Sequence, residues 1–449
     1  MFSGIFAQYY AVACANLMTF IYGIAVGWPS ASLPLLKSSE TPLQEYGPLT
    51  LFEASWVSSV LCIGGAIGTL FYAWIASRYG RKFGIMSSFV PMIISWLLIE
   101  YGTTFSSLFC SRFLTGFAGG APFQIVPLIV SEVSSVEIRG SLGSLLILLH
   151  NGGAIVGIAL SSYTNFYFLP WIPIVLCFVF LLGYSFVPET PKYLMSCGKD
   201  ASKSLKFFQG TDFDPKIEEK SEESYKMRLS DICEPATRKA LIIGTILMNS
   251  VVFTGAFTLA NYYETIFKEA GSSLSPSASS LVVCSIQFAG TCSASLTVER
   301  LGRKSLVLIS AFSAAFLLAV MGFHSFLKTA LLVDVTSVAW LPLVCLSLLV
   351  FVAANGATSI PFVIIGEIFA QNVRGPLVSW CVIVNWLMSF VAVLIFPYMM
   401  EYLKMYGALW VFSVIGASLM TIIAVIMPET KGIPIEVIVE RLRGTKEIT

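Results

Sequence analysis

The sequence predicts an all-α membrane protein in which twelve transmembrane helices form two pseudo-symmetric six-helix bundles, joined by a short cytoplasmic helical linker. Three observations lead to this prediction. Charged residues make up 12% of the chain and apolar residues 56%, with a mean hydropathy of +0.81, whereas an ordinary soluble domain has roughly 25% charged residues. Twelve apolar stretches are long enough to cross a ~30 Å hydrocarbon core. Three charged motifs occur twice, in the same order.

The twelve apolar stretches define the predicted spans. They run near 7–27, 54–76, 83–101, 106–130, 141–163, 168–187, 239–262, 275–297, 305–326, 339–364, 376–399 and 406–427. The one long polar stretch lies between the sixth and the seventh. We therefore expect an N-terminal bundle over 1–187, a linker over 188–238, a C-terminal bundle over 239–427 and a cytoplasmic tail over 428–449.

The linker is rich in Lys, Glu and Ser. Two of its fragments, Ser202 to Phe208 and Ile217 to Met227, have the periodicity of amphipathic helices. They favour short helices that lie under the bundles, and a flexible tether is the alternative.

Lysine and arginine are distributed unequally between the two sides of the predicted spans. Of 27 such residues, only four lysines, Lys37, Lys268, Lys328 and Lys404, fall in the loops opposite the termini, and Arg112 lies within a span. Basic residues are retained on the cytoplasmic side of membranes. We therefore expect both termini in the cytoplasm and no removable signal peptide.

Three charged motifs occur once in each half, each at the end of an apolar stretch. Arg78-Tyr79-Gly80-Arg81-Lys82 returns as Arg300-Leu301-Gly302-Arg303-Lys304; Glu132 with Arg139-Gly140 returns as Glu367 with Arg374-Gly375; Pro188-Glu189-Thr190 returns as Pro428-Glu429-Thr430. Membrane chains built from two similar halves are typical of transporters.

The repeated charges are candidates for a cytoplasmic latch. They comprise Arg81, Glu132, Arg139, Glu189, Arg303, Glu367, Arg374 and Glu429. Unpaired charges at membrane depth cost several kcal/mol, so we expect them to pair. The alternative is that each basic residue only determines topology. Two such clusters would hold the halves together when the inner mouth is closed and separate when it opens.

At these motifs the chain resembles the sugar porter family of the major facilitator superfamily, most closely its insect branch of facilitated trehalose and hexose transporters. The resemblance covers essentially the whole chain. It rests on the repeated motifs above, on Arg112-Phe113 with Gly116, on Pro428-Glu429-Thr430-Lys431-Gly432, and on Tyr22-Gly23 with Gly27-Trp28-Pro29. The family implies the major facilitator fold, a central sugar cavity and rocking of one bundle against the other.

Span seven departs from the family pattern of sugar-binding amides. Aligning on Ile266-Phe267 and Ala270-Gly271 puts Val251 and Val252 at the two usual glutamines, Thr254 at the serine and Phe257 at the asparagine. On span five, Ile147 occupies a position where many relatives have glutamine. The main amide donors of the family are therefore missing.

Polar and aromatic residues remain at other cavity positions implied by the resemblance. The candidate substrate-binding residues are Asn151, Thr254, Gln287, Phe362, Asn385 and Trp386, and the candidate extracellular gate is Tyr262 with Tyr263. Each has a structural alternative: a hydrogen bond to a neighbouring helix for the amides, packing for Phe362 and Trp386, and an interfacial aromatic belt for the tyrosines.

The middle of every predicted span lacks Asp and Glu, and Ala25 stands where proton-coupled relatives carry an aspartate. Ion coupling needs a titratable or coordinating group in the core, so we expect facilitated transport (uniport) of a sugar, trehalose or hexose. The alternatives are a carrier for a less polar solute and a non-transporting sugar sensor of the same fold.

The expected partners are a sugar or polyol and the lipid bilayer of the plasma membrane. A net charge of +1 gives no field to attract nucleic acid. Since the sequence has no nucleophile with a base, no metal-ligand cluster and no phosphate loop, we expect neither an enzyme nor a cofactor or metal. We expect the chain to function as a monomer.

Overall fold

The computed structural model describes residues 4–43, 46–135, 137–209, 233–271, 274–370, 373–430 and 435–443. Over this part of the chain the regular structure is helical. The chain divides into two compact units, Met1–Glu223 and Ser224–Thr449.

The helices of the first unit are α1 Gly4–Gly27, α2 Pro29–Leu36, α3 Leu51–Arg78, α4 Arg81–Ser87, α5 Phe89–Glu100, α6 Phe105–Val133, α7 Arg139–Tyr163, α8 Trp171–Ser185, α9 Pro191–Ser196 and α10 Ser202–Gln209. The helices of the second unit are α11 Pro235–Phe253, α12 Ala256–Ala260, α13 Tyr263–Ala270, α14 Pro276–Leu301, α15 Arg303–Thr329, α16 Leu341–Asn355, α17 Ile360–Ile368, α18 Arg374–Tyr402, α19 Lys404–Ile426 and α20 Ile435–Arg443.

Each of the twelve predicted spans coincides with helix. Within the described residues, ten helical segments are long and apolar enough to cross a membrane. The other two are α8, which is apolar but has only 15 residues, and α14, whose 26 residues include many serines. Several spans contain an interruption of the helix, for example at Gly255 between α11 and α12.

Glycines set the distance between helices in the first unit. A Cβ atom at Gly116 of α6 would lie 1.8 Å from the backbone oxygen of Leu61 on α3, and one at Gly153 of α7 would lie 2.1 Å from the oxygen of Phe20 on α1. In lipid the hydrophobic effect does not drive helices together, and small residues allow their backbones to approach closely and pack. These two contacts fix α3 against α6 and α1 against α7.

The second unit has a hydrophobic core close to its charged motifs, where the ends of several helices meet. Buried residues from six helices form it, among them Leu247, Val307, Ile364, Cys381 and Ile423. Ile438 and Leu442 of α20 belong to the same core, and Arg443 of α20 is ion-paired with Glu234. The described part of the tail is therefore attached to the second bundle.

The first predicted linker helix is present as α10. Its residue Phe208 is buried and its backbone oxygen accepts a hydrogen bond from Gln8 Nε2 at 2.9 Å. Gln8 Oε1 in turn accepts from the backbone nitrogen of Ser135 at 2.9 Å. One buried amide thus ties α10, α1 and the end of α6 together. The second predicted linker helix, 217–227, lies outside the described residues.

Candidate functional site

The first charge cluster, Arg81, Glu132, Glu189 and Thr190, lies where α4, α6 and the start of α9 meet. Arg81 donates from Nη2 and Nε to one oxygen of Glu132, at 2.6 and 3.1 Å. Thr190 Oγ1 donates to the other oxygen at 2.6 Å. The Glu132 side chain is only 5% exposed, so both of its oxygens are satisfied in a largely dry site.

Glu189 caps the beginning of α4. Its carboxylate accepts hydrogen bonds from the backbone nitrogens of Arg81 and Lys82, at 3.0 and 3.1 Å. A carboxylate at a helix start satisfies amides that have no helical partner. Gly80 makes this approach feasible, because its φ is +104° and a Cβ there would lie 2.1 Å from Glu189 Oε2.

Burial raises the pKa of Glu189 above its ordinary value. The backbone hydrogen bonds and the charge of Arg81 oppose this shift by favouring the carboxylate. Burial has the larger effect, so the charged form of Glu189 is held at a cost in the folded protein.

The second charge cluster, Arg303, Glu367 and Glu429, repeats this arrangement in the second unit. Arg303 Nη1 donates to Glu367 Oε2 at 2.7 Å, and Glu429 accepts from the backbone nitrogens of Arg303 and Lys304, at 3.1 and 3.2 Å. Here the ion pair is more open, with side chains 26% and 25% exposed. The arginine–glutamate ion pair and the glutamate that caps a helix start therefore recur in both units, at two different levels of burial.

Two of the predicted latch arginines take other partners. Arg139 Nη2 donates to the backbone oxygen of Ser134 at 3.2 Å, and Arg374 Nε to that of Phe369 at 3.4 Å. In the described part of the chain, neither forms an ion pair within 4 Å. Both therefore brace the turn that precedes their own helix, while Glu132 and Glu367 pair with the arginines of the Gly-Arg-Lys motifs.

Span seven is broken at the predicted site residue Thr254. Gly255 adopts a left-handed conformation with φ +79°, which only glycine adopts readily. Thr254 Oγ1 donates to the backbone oxygen of Val251 at 2.8 Å and accepts from the nitrogen of Ala256 at 3.4 Å. The threonine hydroxyl thus satisfies backbone groups that the break exposes.

The three candidate amides differ in their surroundings. Asn151 on α7 is buried, and Gln287 on α14 is half-buried. Asn385 on α18 is also half-buried, and its Oδ1 atom is shielded from solvent without a hydrogen-bond partner among the described residues. A polar atom in that state is costly unless a ligand or water meets it. Asn385 therefore has an oxygen that is available to accept a hydrogen bond from a group outside the described residues.

Another intramembrane amide has a structural role. Asn355 on α16 accepts hydrogen bonds through Oδ1 from Ser293 and Thr297 of α14, at 2.9 and 3.3 Å. Its Nδ2 donates to the backbone oxygen of Phe351. Asn355 therefore joins two helices, which is the structural alternative expected for an amide within a span.

The aromatic candidates are placed on two helices of the second unit. Trp386 of α18 is buried, at 9% exposure, whereas Phe362 of α17 is 38% exposed. Among the described residues, no hydrogen bond or ring contact links Phe362 with Thr254, Gln287 or Asn385.

The two gate candidates lie at the start of α13. Tyr262 donates from its hydroxyl to the backbone oxygen of Val393 at 3.1 Å, and its ring is stacked on Phe396 with centroids 5.4 Å apart. Tyr263 is fully buried, and its hydroxyl has no partner in the described part of the chain. Tyr262 is therefore bonded to α18 within the second unit.

Two polar contacts are not predicted by the sequence motifs. Thr190, which follows Glu189 in its motif, completes the bonding of Glu132. Lys328, an outer-loop charge in the sequence, binds two backbone oxygens at the end of α13 through its Nζ. The nearby helix-ending pair Ala270-Gly271 was a signal for the second contact, because the last carbonyls of a helix need donors.

Comparison with known families agrees with these features. The family model described as "Sugar (and other) transporter" matches residues 9–442. The Facilitated trehalose transporter Tret1-2 homolog of Drosophila simulans is 29% identical over 455 residues, which cover 99% of this chain and 92% of that protein. Facilitated trehalose transporter Tret1 of Polypedilum vanderplanki is 27% identical, covering 98% and 89%.

Solved structures agree on the fold. The xylose transporter XylE from E. coli, in an inward open conformation, matches with a TM-score of 0.77 at 19% identity, covering 97% of this chain and 99% of that one. At this identity the likeness establishes the fold. The predicted all-α membrane fold of two six-helix bundles is confirmed.

Proposed function

We propose, from the premise that the chain belongs to the family of sugar (and other) transporters, that it carries an uncharged sugar across the membrane by facilitated transport. The protein is a multi-pass membrane protein and not an enzyme. The observation that carries the proposal is the repeated charge cluster, formed by the same three motifs in each unit. The names of the Drosophila and Polypedilum relatives favour trehalose or a hexose as the substrate.

The surroundings of Arg112 favour downhill transport. This residue is buried, and it donates to the backbone oxygens of Ala25 and Val57 at 2.7 and 3.3 Å. Among the described residues, no carboxylate pairs with it. A proton-coupled carrier needs a titratable group in its core, and none of the spans has Asp or Glu at mid-depth.

The substrate-binding residues we propose are Asn151, Thr254, Gln287, Phe362, Asn385 and Trp386. Amides and hydroxyls bind sugar hydroxyls, and aromatic faces contact the apolar side of a ring. Asn385 supports the proposal most directly, because its buried Oδ1 atom has no hydrogen-bond partner in the part of the chain that the structure describes. We propose Tyr262 and Tyr263 as the extracellular gate.

The charge clusters are proposed as a latch for alternating access. Arg81, Glu132 and Glu189 in the first unit, and Arg303, Glu367 and Glu429 in the second, hold the ends of several helices in register. Arg139 and Arg374, each with one backbone partner, are proposed to complete the latch when the inner mouth closes. Neutralising Glu367 or Arg374 is expected to favour the inward-open state.

The same proposal covers topology and location. We propose that both termini lie in the cytoplasm of a plasma-membrane carrier that works as a monomer in the lipid bilayer. Its domains follow the boundaries 1–187, 188–238, 239–427 and 428–449 given above.

Uptake of labelled trehalose, glucose and a panel of polyols into proteoliposomes, with and without a pH gradient, tests the function. We expect saturable uptake of at least one sugar that a pH gradient does not drive above equilibrium. Accumulation against the gradient would overturn uniport. Absence of uptake for every sugar would favour a sensor. Uptake of only less polar solutes would favour the other alternative, which is supported by the apolar residues Val251, Val252, Phe257 and Ile147.

A further inference from the structure

The C-terminal end of α13 is held by a lysine from another helix. Lys328, in the last turn of α15, donates from Nζ to the backbone oxygens of Glu269 and Ala270, at 2.8 and 2.9 Å. These are two of the four carbonyls at the end of α13 that have no helical partner. A positive charge is also favourable at a helix C-terminus. The ammonium of Lys328 therefore joins α13 to α15.

The backbone leaves room for this ammonium. Gly271, directly after α13, has φ +74°, and a Cβ there would lie 3.1 Å from Lys328 Nζ. A side chain at position 271 would be strained by the left-handed conformation and would press on the lysine. Glycine at position 271 therefore leaves the space that the Lys328 ammonium occupies at the helix end.

Two titratable groups line the same small cavity as Lys328. His324 lies one turn earlier on α15, is 3% exposed, and has a buried Nε2 atom without a partner among the described residues. Glu269 also lines this cavity. A positive charge on His324 would lie four residues from Lys328 on one helix face, where like charges repel.

Two opposing effects act on the pKa of the Glu269 carboxyl group. Glu269 is an exposed residue whose carboxyl group is partly desolvated, which raises its pKa, and the ammonium groups of Lys328 and Lys404 oppose this shift. The other α13 groups that carry a charge at neutral pH are Lys268, which is exposed, and Glu264, which accepts a hydrogen bond from Ser277. Protonation of Glu269 removes an attraction for Lys328, and protonation of His324 adds a repulsion. Both changes weaken the hold on α13.

We propose that Lys328 is a positioning residue for the extracellular gate, and that His324 and Glu269 make its clamp on α13 release in acid. The proposal rests on the gate assigned above. Helix α13 has eight residues and so is roughly 12 Å long, with Tyr263 as its first residue. With this hold on its far end released, α13 is less restrained, and Tyr262 keeps its bond to Val393 and its stacking on Phe396 as contacts to α18.

Hydrogen exchange on the purified full-length protein tests the clamp without any substrate. Lys328→Met is expected to raise the exchange rate of the amides in 263–271 several-fold, and Lys328→Arg, which keeps a charged donor, to restore most of the protection. Lys268→Met is the matched control, since it removes an exposed lysine from α13 itself. Equal exchange in Lys328→Met and Lys268→Met would overturn the proposal.

The acid response is tested by varying extracellular pH. After correction for the intrinsic pH dependence of amide exchange, the wild-type α13 is expected to lose protection as extracellular pH falls below about 6.5, and His324→Gln to lose less. Sugar uptake should follow the same profile, with Lys328→Met insensitive to pH. An unchanged profile in His324→Gln and in Glu269→Gln would refute the acid-sensitive part. Because exchange needs no sugar, failure of uptake alone overturns only the proposed function.

Discussion

Arg112 Nη1 donates a hydrogen bond to the backbone oxygen of Ala25 at 2.7 Å, so a permanent cation is held by a carbonyl where a carboxylate would otherwise be expected. Its guanidinium also lies 5.4 Å from the ring centroid of Trp28. Since Arg112 has no counter-ion within the described parts of the chain, these carbonyl and ring contacts are its main stabilisation there. The geometry of these contacts suits the planar fork of arginine.

Arg112→Lys is therefore expected to destabilise the protein although it keeps the charge. Lysine cannot bond Ala25 and Val57 together or stack on Trp28 in the same way. Loss of one bond to a charged donor costs about 1.5–3 kcal/mol. Thermal unfolding of the purified variant measures this, with Arg238→Lys, an exposed position, as the control. Equal melting temperatures for both variants would contradict the prediction.

The two charge clusters are expected to differ in their contribution to stability. Removing one partner of a buried ion pair costs about 3–5 kcal/mol, and the Arg81–Glu132 pair is the more buried of the two. Glu132→Ala should therefore lower the unfolding free energy by about 3 kcal/mol, and Glu367→Ala by clearly less. Denaturant unfolding of each variant checks this, with exposed Glu137→Ala as the reference. A larger loss in Glu367→Ala would refute the ranking.

Glycine replacements at the two cluster loops are expected to follow the same order. Alanine at position 80 would place Cβ 2.1 Å from Glu189 Oε2, whereas at position 302 it would lie 3.2 Å from Glu429 Oε2. Both glycines have positive φ, so both substitutions are strained, and Gly80→Ala should be the more destabilising. Gly143→Ala, where a Cβ meets nothing within 4 Å, should be neutral or slightly stabilising. Melting temperatures of the three variants decide the order.

The raised pKa of Glu189 predicts a pH dependence of stability. A carboxyl group whose pKa is higher in the folded than in the unfolded state stabilises the fold below its unfolded pKa, and this contribution is lost as pH rises through the folded pKa. Acidification from pH 7 towards pH 4 should therefore stabilise the wild type relative to Glu189→Gln, which cannot titrate. Melting temperatures of both proteins across this range test it. A constant difference would show that Glu189 titrates normally.

Substrate affinity should depend on Asn385 and Gln287. Loss of one hydrogen bond to a sugar hydroxyl costs about 0.5–1.5 kcal/mol, which corresponds to about a two- to tenfold rise in the half-saturation concentration. Asn385→Ala and Gln287→Ala should show this rise. Asn355→Ala, which breaks the bridge between α14 and α16, should instead lower stability. Transport kinetics together with melting curves separate the two effects, and unchanged kinetics in both binding variants would remove them from the site.

Several features were predictable because they depend on local sequence. The apolar stretches gave the spans, since only a helix satisfies its own backbone in lipid. The repeated motifs predicted the charge clusters, because unpaired carboxylates such as Glu132 and Glu189 are costly near the membrane. The pairing itself was only partly predictable: Arg139 bonds a backbone oxygen, and Thr190 takes a carboxylate oxygen that the sequence had not assigned.

By itself the sequence determined the membrane environment, the number of spans and the duplicated architecture, because length, hydropathy and motif order express these directly. Tertiary structure alone decided which polar groups are satisfied. Asn355 and Asn385 are both asparagines within apolar helices, yet the first bridges two helices, whereas the second has a buried oxygen with no partner over the described ranges. The difference arises because hydrogen bonding depends on which neighbouring helix lies within about 3 Å, and that distance is set by packing between segments far apart in the chain.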